Sequence, residues 1–424
     1  MSERKYKWLL LGLLSCAFFF HQADRAIFGL LTIPIQDELH LTNVQIGWIN
    51  TVLSWTLAAM AFVCGPICDR YSRKWLITCS LISWSLMTFV MGFVGDWRVC
   101  GLVLPAFFVV MFFRSIATGV GESFYAPCYP PLIATYHRET RSIALSIHQG
   151  ALYFGLMTSG VITAWALGVL GSWRHVFMVF GAAGFLLGVS FIWLLKEGEK
   201  EKGEGRKEKV RNETSFLSGF AYFFRNPSAW CAMAGFVAIV FVNNAYLFWA
   251  PKFMAEKFGV SVGEAGTQTM FYHHLLAFGA ILAGGVITDR FVKRWPRFRL
   301  GFQILSLLCG APCLVLTGFA PTAVTMVVMA AAYGVFRGFF EVNTHASLFD
   351  VIAPAYRSTA VGIFMVFAFF FGGLSGVVMG ALSQKFGVRG FEIGFALMGA
   401  AYCVAAFVMM ISFFFTFRKN RIVE

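Results

Sequence analysis

A succession of apolar stretches divides the sequence, each long enough to cross a hydrocarbon layer and each separated from the next by a polar connection. About 20 apolar residues cross a bilayer as an α-helix. Twelve segments reach that length: residues 8–33, 44–66, 75–94, 103–133, 142–170 and 174–195, then 228–251, 265–287, 299–320, 322–349, 357–383 and 390–416. In hydrocarbon only helices and closed barrels satisfy their own backbone, and runs this long select helices. The expected fold is therefore an all-α integral membrane protein of twelve transmembrane helices. Only 13% of the residues are charged, against about a quarter in soluble proteins, and the mean hydropathy is +0.71. The fourth segment is unusually long and carries Pro127, Pro130 and Pro131, which predict a tilt or a break there.

A net charge of +13 does not point to nucleic acid, because the basic residues sit in the connections. Twenty-five of the 34 Lys and Arg fall in alternate connections and the two ends, and six in the others. That asymmetry predicts cytoplasmic termini and a multi-pass plasma-membrane protein, in the inner membrane if the source is bacterial. The remaining three, Arg25, Arg114 and Arg337, lie within apolar segments. The bilayer is thus one expected partner; a nucleic acid is not.

One motif occurs twice, 220 residues apart. Gly65-Pro66-Ile67-Cys68-Asp69-Arg70-Tyr71-Ser72-Arg73-Lys74-Trp75 returns as Gly285-Val286-Ile287-Thr288-Asp289-Arg290-Phe291-Val292-Lys293-Arg294-Trp295. A repeat at half the chain length predicts two related six-helix halves, residues 1–195 and 227–424, joined by a charged linker over 196–226. Lys196 to Glu213 mixes both charge signs with Gly and reads as flexible. Phe216 to Phe224 is either a short amphipathic helix on the membrane face or the start of the seventh span.

Charge within a membrane costs about 2.5–3.5 kcal/mol per residue on insertion scales and so marks candidate function. The first span carries Asp24-Arg25, the fourth Arg114 and Glu122, the tenth Arg337 and Glu341. On a regular helix Arg114 and Glu122 stand about 12 Å apart along the axis and about 80° apart around it; they line one cavity or pair with neighbouring helices. Arg337 and Glu341, four residues apart, can neutralise each other. Among neutral polar residues at membrane depth, Asn243 and Gln149 are candidate substrate contacts, each weighed against an ordinary helix–helix hydrogen bond. The ten Cys show no pairable framework, no metal-ligand spacing occurs, and no nucleophile motif has a suitable context, so neither metal, cofactor nor enzymatic activity is expected.

Two six-span halves with Gly-x-x-x-Asp-Arg-x-x-Arg-Lys between spans two and three, repeated between spans eight and nine, resemble the major facilitator superfamily over essentially the whole chain. The resemblance implies transport by alternating access, with the site near the midplane between the halves. It makes Gly65, Asp69, Arg70, Arg73, Asp289 and Arg290 a cytoplasmic gate. Gly119-Val120-Gly121-Glu122-Ser123-Phe124-Tyr125, Pro131 and Arg141-Ser142 are similar to the Spinster-like branch, and Ala23-Asp24-Arg25 to that branch and to the anion:cation symporters. The resemblance implies proton coupling through Glu122 and Asp24 and an anionic group held by Arg114; Arg25, Arg337, Asn243 and Gln149 are further candidate contacts on the residues themselves. Arg114 precedes Glu122 by eight residues where those families use seven. The fifth span lacks the Gly-Pro pair of antiporters, which favours symport or facilitated transport. The expected function is that of a monomeric secondary transporter for a small organic anion, a sugar acid such as a hexuronate or sialate, with proton symport. A lysophospholipid or a neutral sugar is the alternative substrate.

Overall fold

The computed structural model describes residues 3–99, 101–137, 140–196 and 216–422, and these are almost entirely helical. The first half runs α1 (Glu3–Leu30), α2 (Thr32–Leu39), α3 (Asn43–Arg70) and α4 (Arg73–Val90). A small hairpin of β1 (Trp97–Val99) and β2 (Leu102–Leu104) leads into α5 (Ala106–Val110), a π-helical run over Met111–Ala117, α6 (Thr118–Ser123) and α7 (Tyr125–Tyr136). Helices α8 (Arg141–Leu170) and α9 (Trp173–Leu194) complete it. The second half comprises α10 (Phe216–Phe224), α11 (Pro227–Phe258), α12 (Val262–Val292), α13 (Phe298–Gly318), α14 (Ala323–Glu341) and α15 (Thr344–Phe349). After these come α16 (Arg357–Phe386), α17 (Val388–Ile411), a π-helical run over Ser412–Thr416, and α18 (Phe417–Asn420).

Among the described residues, eleven helices are long and apolar enough to cross a membrane. Helix α1 is outside that set; at 28 residues it is long enough, but it carries the polar run His21-Gln22 and Asp24-Arg25. Eleven such helices together with α1 are consistent with the expected twelve. Side chains punctuate the helices. Thr42 Oγ1 accepts from the Gln45 N–H at 3.2 Å while Gln45 Oε1 accepts from the Thr42 N–H at 2.9 Å, a reciprocal cap that starts α3. Within the motif, Ser72 Oγ accepts from the Trp75 N–H and starts α4.

The break in the fourth span lies upstream of where the prolines place it. The helix widens over Met111–Ala117 and is interrupted at Phe124. Pro127 then falls in the first turn of α7, where its missing N–H would have had no helical acceptor. Phe216–Phe224 forms a helix of its own, packed through Tyr222 on Tyr356 at 4.8 Å between ring centroids. Asn226 separates it from α11 by accepting the N–H groups of Ser228 and Ala229. Residues 197–215, most of the expected linker, lie outside the described residues.

By contacts the chain sorts into two compact units: residues 1–199 with 245–271 and 375–385, and residues 200–244 with 272–374 and 386–424. In the first unit α4 lies along α9, where a Cβ on Gly181 would come within 2.3 Å of the Phe89 backbone nitrogen. Residues 245–271 and 375–385 meet the six-helix bundle backbone to backbone: Gly160 against Gly266, and Gly47 against Gly376. Lys252, placed by sequence in an external connection, is buried in α11, where it donates to Gln36 Oε1 and to Asn43 Oδ1 (2.7 Å) and pairs with Glu256 (3.3 Å). Cys68 and Cys128 lie side by side, Sγ to Sγ 2.6 Å, a neighbourhood their sixty-residue separation conceals. A clasp ties α2 to α9: Arg174 Nε donates to Glu38 Oε1 at 2.7 Å and Trp173 Nε1 to Glu38 Oε2. The Arg174 hydrogen bond holds the Glu38 carboxyl below the usual carboxylate range. In the second unit α13 packs between α14 and α17.

Candidate functional site

The polar run of α1 meets the charged residues of the fourth span inside the first unit. Glu122, 2% exposed, sits at the centre. Its Oε2 lies 3.4 Å from His21 Nε2 and 3.6 Å from Arg25 Nε, and neither carboxylate oxygen has a hydrogen bond among the described residues. An arginine and a histidine are thus both within ion-pair range of it, and neither hydrogen-bonds to it.

Arg114, 4% exposed, donates from Nη2 to the Arg25 carbonyl oxygen at 3.2 Å, and its guanidinium lies 5.5 Å from the centroid of the Phe28 ring. Asp24 Oδ2 accepts from Thr88 Oγ1 at 2.9 Å, while Oδ1 is buried without a partner among the described residues. Arg114 and Glu122 thus address one residue, Arg25, from its two ends. That corrects the 80° offset expected of a regular helix. The π-helical run continues from Arg114 to Ala117 and winds more residues per turn than an α-helix, so the eight residues from Arg114 to Glu122 travel less far around the axis than in a regular helix.

The rings around the carboxylate form a dry wall. His21 stands 5.0 Å from the Trp84 ring centroid and stacks on Phe18 at 5.9 Å and Tyr125 at 6.0 Å. Tyr125 donates to the Leu14 carbonyl at 2.6 Å and meets His148 Nε2 at 3.1 Å; His148 stacks on Tyr129 at 4.0 Å. His21 and Thr88 were not among the residues singled out by sequence. The available signal was spacing: His21, Asp24 and Arg25 fall at i, i+3 and i+4, one face of a helix.

The remaining candidates stand elsewhere. Arg337 pairs with Glu341 at 3.3 Å on its own helix and with His273 Nε2 at 3.2 Å. His273 Nδ1 donates to the Ala330 carbonyl at 3.0 Å, which leaves Nε2 as the acceptor for Arg337. Asn243, in the second unit, holds a buried Oδ1 with no partner among the described residues. Gln149 is exposed and does not join the cluster. Of the motif residues, Arg70, Asp289 and Arg290 are exposed and Arg73 is half-buried, and among the described residues none of the four is in an ion pair. The side chains of Gly65, Asp69, Arg141 and Ser142 lie outside those described.

The model of the Major Facilitator Superfamily matches residues 13–322 and 253–421. The probable galactarate/D-glucarate transporter of Escherichia coli strain K12 is 25% identical over 389 residues, covering 85% of this chain and 84% of its own length. Protein spinster homolog 1 of Xenopus tropicalis is 25% identical over 400 residues, covering 89% and 73%. Among solved structures, a bacterial homolog of the human lysosomal transporter Spinster, in an inward-facing and occupied conformation, superposes with a TM-score of 0.81 at 18% identity over 99% of both chains. A D-xylose-proton symporter gives 0.76 at 16% identity over 99% and 100%.

Proposed function

The chain belongs to the major facilitator superfamily as a multi-pass membrane transporter, and on that premise we propose that it carries a sugar acid anion by alternating access together with a proton. The observation that carries this reading is the buried Glu122 carboxylate, shared between Arg25 and His21 with Arg114 beside it. With both carboxylates ionised, Arg25 and Arg114 balance Asp24 and Glu122. Protonating Glu122 leaves a surplus guanidinium in a desolvated site, and a substrate carboxylate offers it a bidentate partner. Proton and anion then each favour the other's binding, which is symport by linkage.

Glu122 is the coupling carboxylate on this reading and Asp24 the second. Arg25, 28% exposed at its side chain, is the anion ligand, with Arg114 fixing its backbone. This exchanges the roles expected of the two arginines, because Arg114 is the more enclosed. Arg337, closed over by His273 and Glu341, holds its helices together. The doubled motif of Gly65, Asp69, Arg70 and Arg73 with Asp289 and Arg290 serves as a gate at the cytoplasmic face, and the protein works as a monomer with both termini inside. The relatives named for galactarate and D-glucarate transport favour a sugar acid. The Spinster relatives keep a lysophospholipid as the second reading.

Proteoliposomes test it. Galactarate, D-glucarate and a hexuronate are offered singly under an inward proton gradient. Accumulation that a protonophore abolishes is expected for at least one of them. Uptake confined to neutral sugars, or to lysophospholipid, overturns the reading.

A further inference from the structure

The imidazole of His21 is built into the cluster on both of its nitrogens. Nε2 faces Glu122 Oε2 at 3.4 Å, and Nδ1 meets the Gln22 side-chain amide nitrogen at 3.0 Å. An amide nitrogen can only donate, so Nδ1 accepts and Nε2 carries the ring proton toward Glu122. Phe18, Trp84 and Tyr125 wall the ring, and it is 8% exposed. The charged and titratable groups around it are Asp24 and Arg25 on its own helix, Arg114, Glu122, Tyr125 and Tyr129 on the fourth span, and His148 on α8. Among the described residues α4 sets Trp84 against it, and Thr88 of the same helix holds Asp24.

We propose that His21 shares the transported proton with Glu122, and that Gln22 is the adapter that lets it do so. The inference rests on the proton-coupled reading above and assigns it a second titrating group. A proton entering from water on one face adds to Nδ1. Gln22 accommodates it by turning its amide so that the oxygen accepts where the nitrogen had donated. The imidazolium then becomes the counter-ion of Glu122, and Arg25, until then its other partner, is free to take the substrate carboxylate. Release runs in reverse: the anion leaves, Arg25 returns to Glu122, and Nδ1 gives its proton to water on the opposite face. One proton is carried per anion bound. On this proposal the pH dependence of transport belongs to the pair and not to either residue alone.

The test measures the midpoint of the pH dependence of sugar-acid uptake in proteoliposomes, for wild type, His21→Gln and Gln22→Glu. His21→Gln removes one member of the couple and leaves Glu122 beside Arg25, so the midpoint moves to more acid pH. A shift of one unit appears as about tenfold less uptake on the alkaline side. Gln22→Glu sets a carboxylate at Nδ1, favours the imidazolium, and moves the midpoint the other way. A residue that only fills space produces no pair of opposite shifts. Should His21→Gln fail to fold, Gln22→Glu decides alone. A midpoint equal to that of wild type in Gln22→Glu, or in both variants, overturns the inference while leaving proton symport intact. A wild-type uptake indifferent to the proton gradient overturns symport itself.

Discussion

The arginine and glutamate of the fourth span, Arg114 and Glu122, and those of the tenth, Arg337 and Glu341, are the same two residue types within apolar spans, yet their surroundings differ in kind. In the tenth span the pair closes on one helix, four residues apart, and His273 adds an acceptor whose other nitrogen is already engaged with Ala330. Tyr333 stacks on His273 at 5.0 Å, and Tyr402 donates to the Tyr333 hydroxyl, so the arginine is enclosed by satisfied groups. In the fourth span the carboxylate draws its partners from another helix, and its oxygens and Asp24 Oδ1 are left without hydrogen bonds among the described residues. The same residue types do not fix a role. A charge satisfied by its own helix holds structure, whereas one shared at 3.4 and 3.6 Å can change partner.

The comparison breaks most directly at the two glutamates. Glu122→Gln should lower the proton-driven accumulation ratio by about 5- to 150-fold, the range of ordinary site-to-site coupling, while Glu341→Gln keeps accumulation at the wild-type level. Equal losses in the two variants would erase the distinction. The arginines give the next largest contrast. Arg25→Gln is expected to weaken sugar-acid binding by about 1.5–3 kcal/mol, the worth of hydrogen bonds to a charged group, measured by calorimetric titration. Arg337→Gln leaves His273 Nε2 without this donor and Glu341 without its pair, so stability should fall by about 1–3 kcal/mol with affinity unchanged; a thermal melt and the same titration separate the two.

The smallest effect sharpens the contrast by supplying a structural ion pair in the same half as the cluster. Glu38 is held below its ordinary range by Arg174, so the clasp contributes fully above the usual glutamate range and is lost as pH falls through the depressed value. Its exposure limits that contribution to about 0–1 kcal/mol. Glu38→Gln should therefore lower the melting temperature slightly at neutral pH and not at strongly acid pH, and leave the pH midpoint of transport unmoved.

Spans and repeat were legible because hydropathy and a doubled motif are local properties of the chain. Asp24, Arg25, Arg114 and Glu122 drew notice for a related reason, because charge inside an apolar run has few uses; that signal alone does not group them, since Arg337 and Glu341 carry it too and belong to the other unit. What could not be read depends on partners far away in sequence. Lys252 reads as an external charge until Gln36 and Asn43, more than 200 residues distant, are brought to it. Gln149 sits beside a buried His148 but faces outward, a matter of helix rotation that polarity alone does not set. The proposed exchange of roles between Arg25 and Arg114 also waits on burial, since both are simply arginines in a membrane.

The wide turn over Met111–Ala117 makes the fourth span a helix with one residue to spare. Loss of an exposed residue from it between the two charges, such as Ile116, would let the run relax into a regular α-helix with the arginine seven residues before the glutamate and both side chains still on one face. A residue inserted there has no such slack to draw on and would carry Arg114 away from Arg25. Changes in length at this point should therefore be tolerated in one direction only.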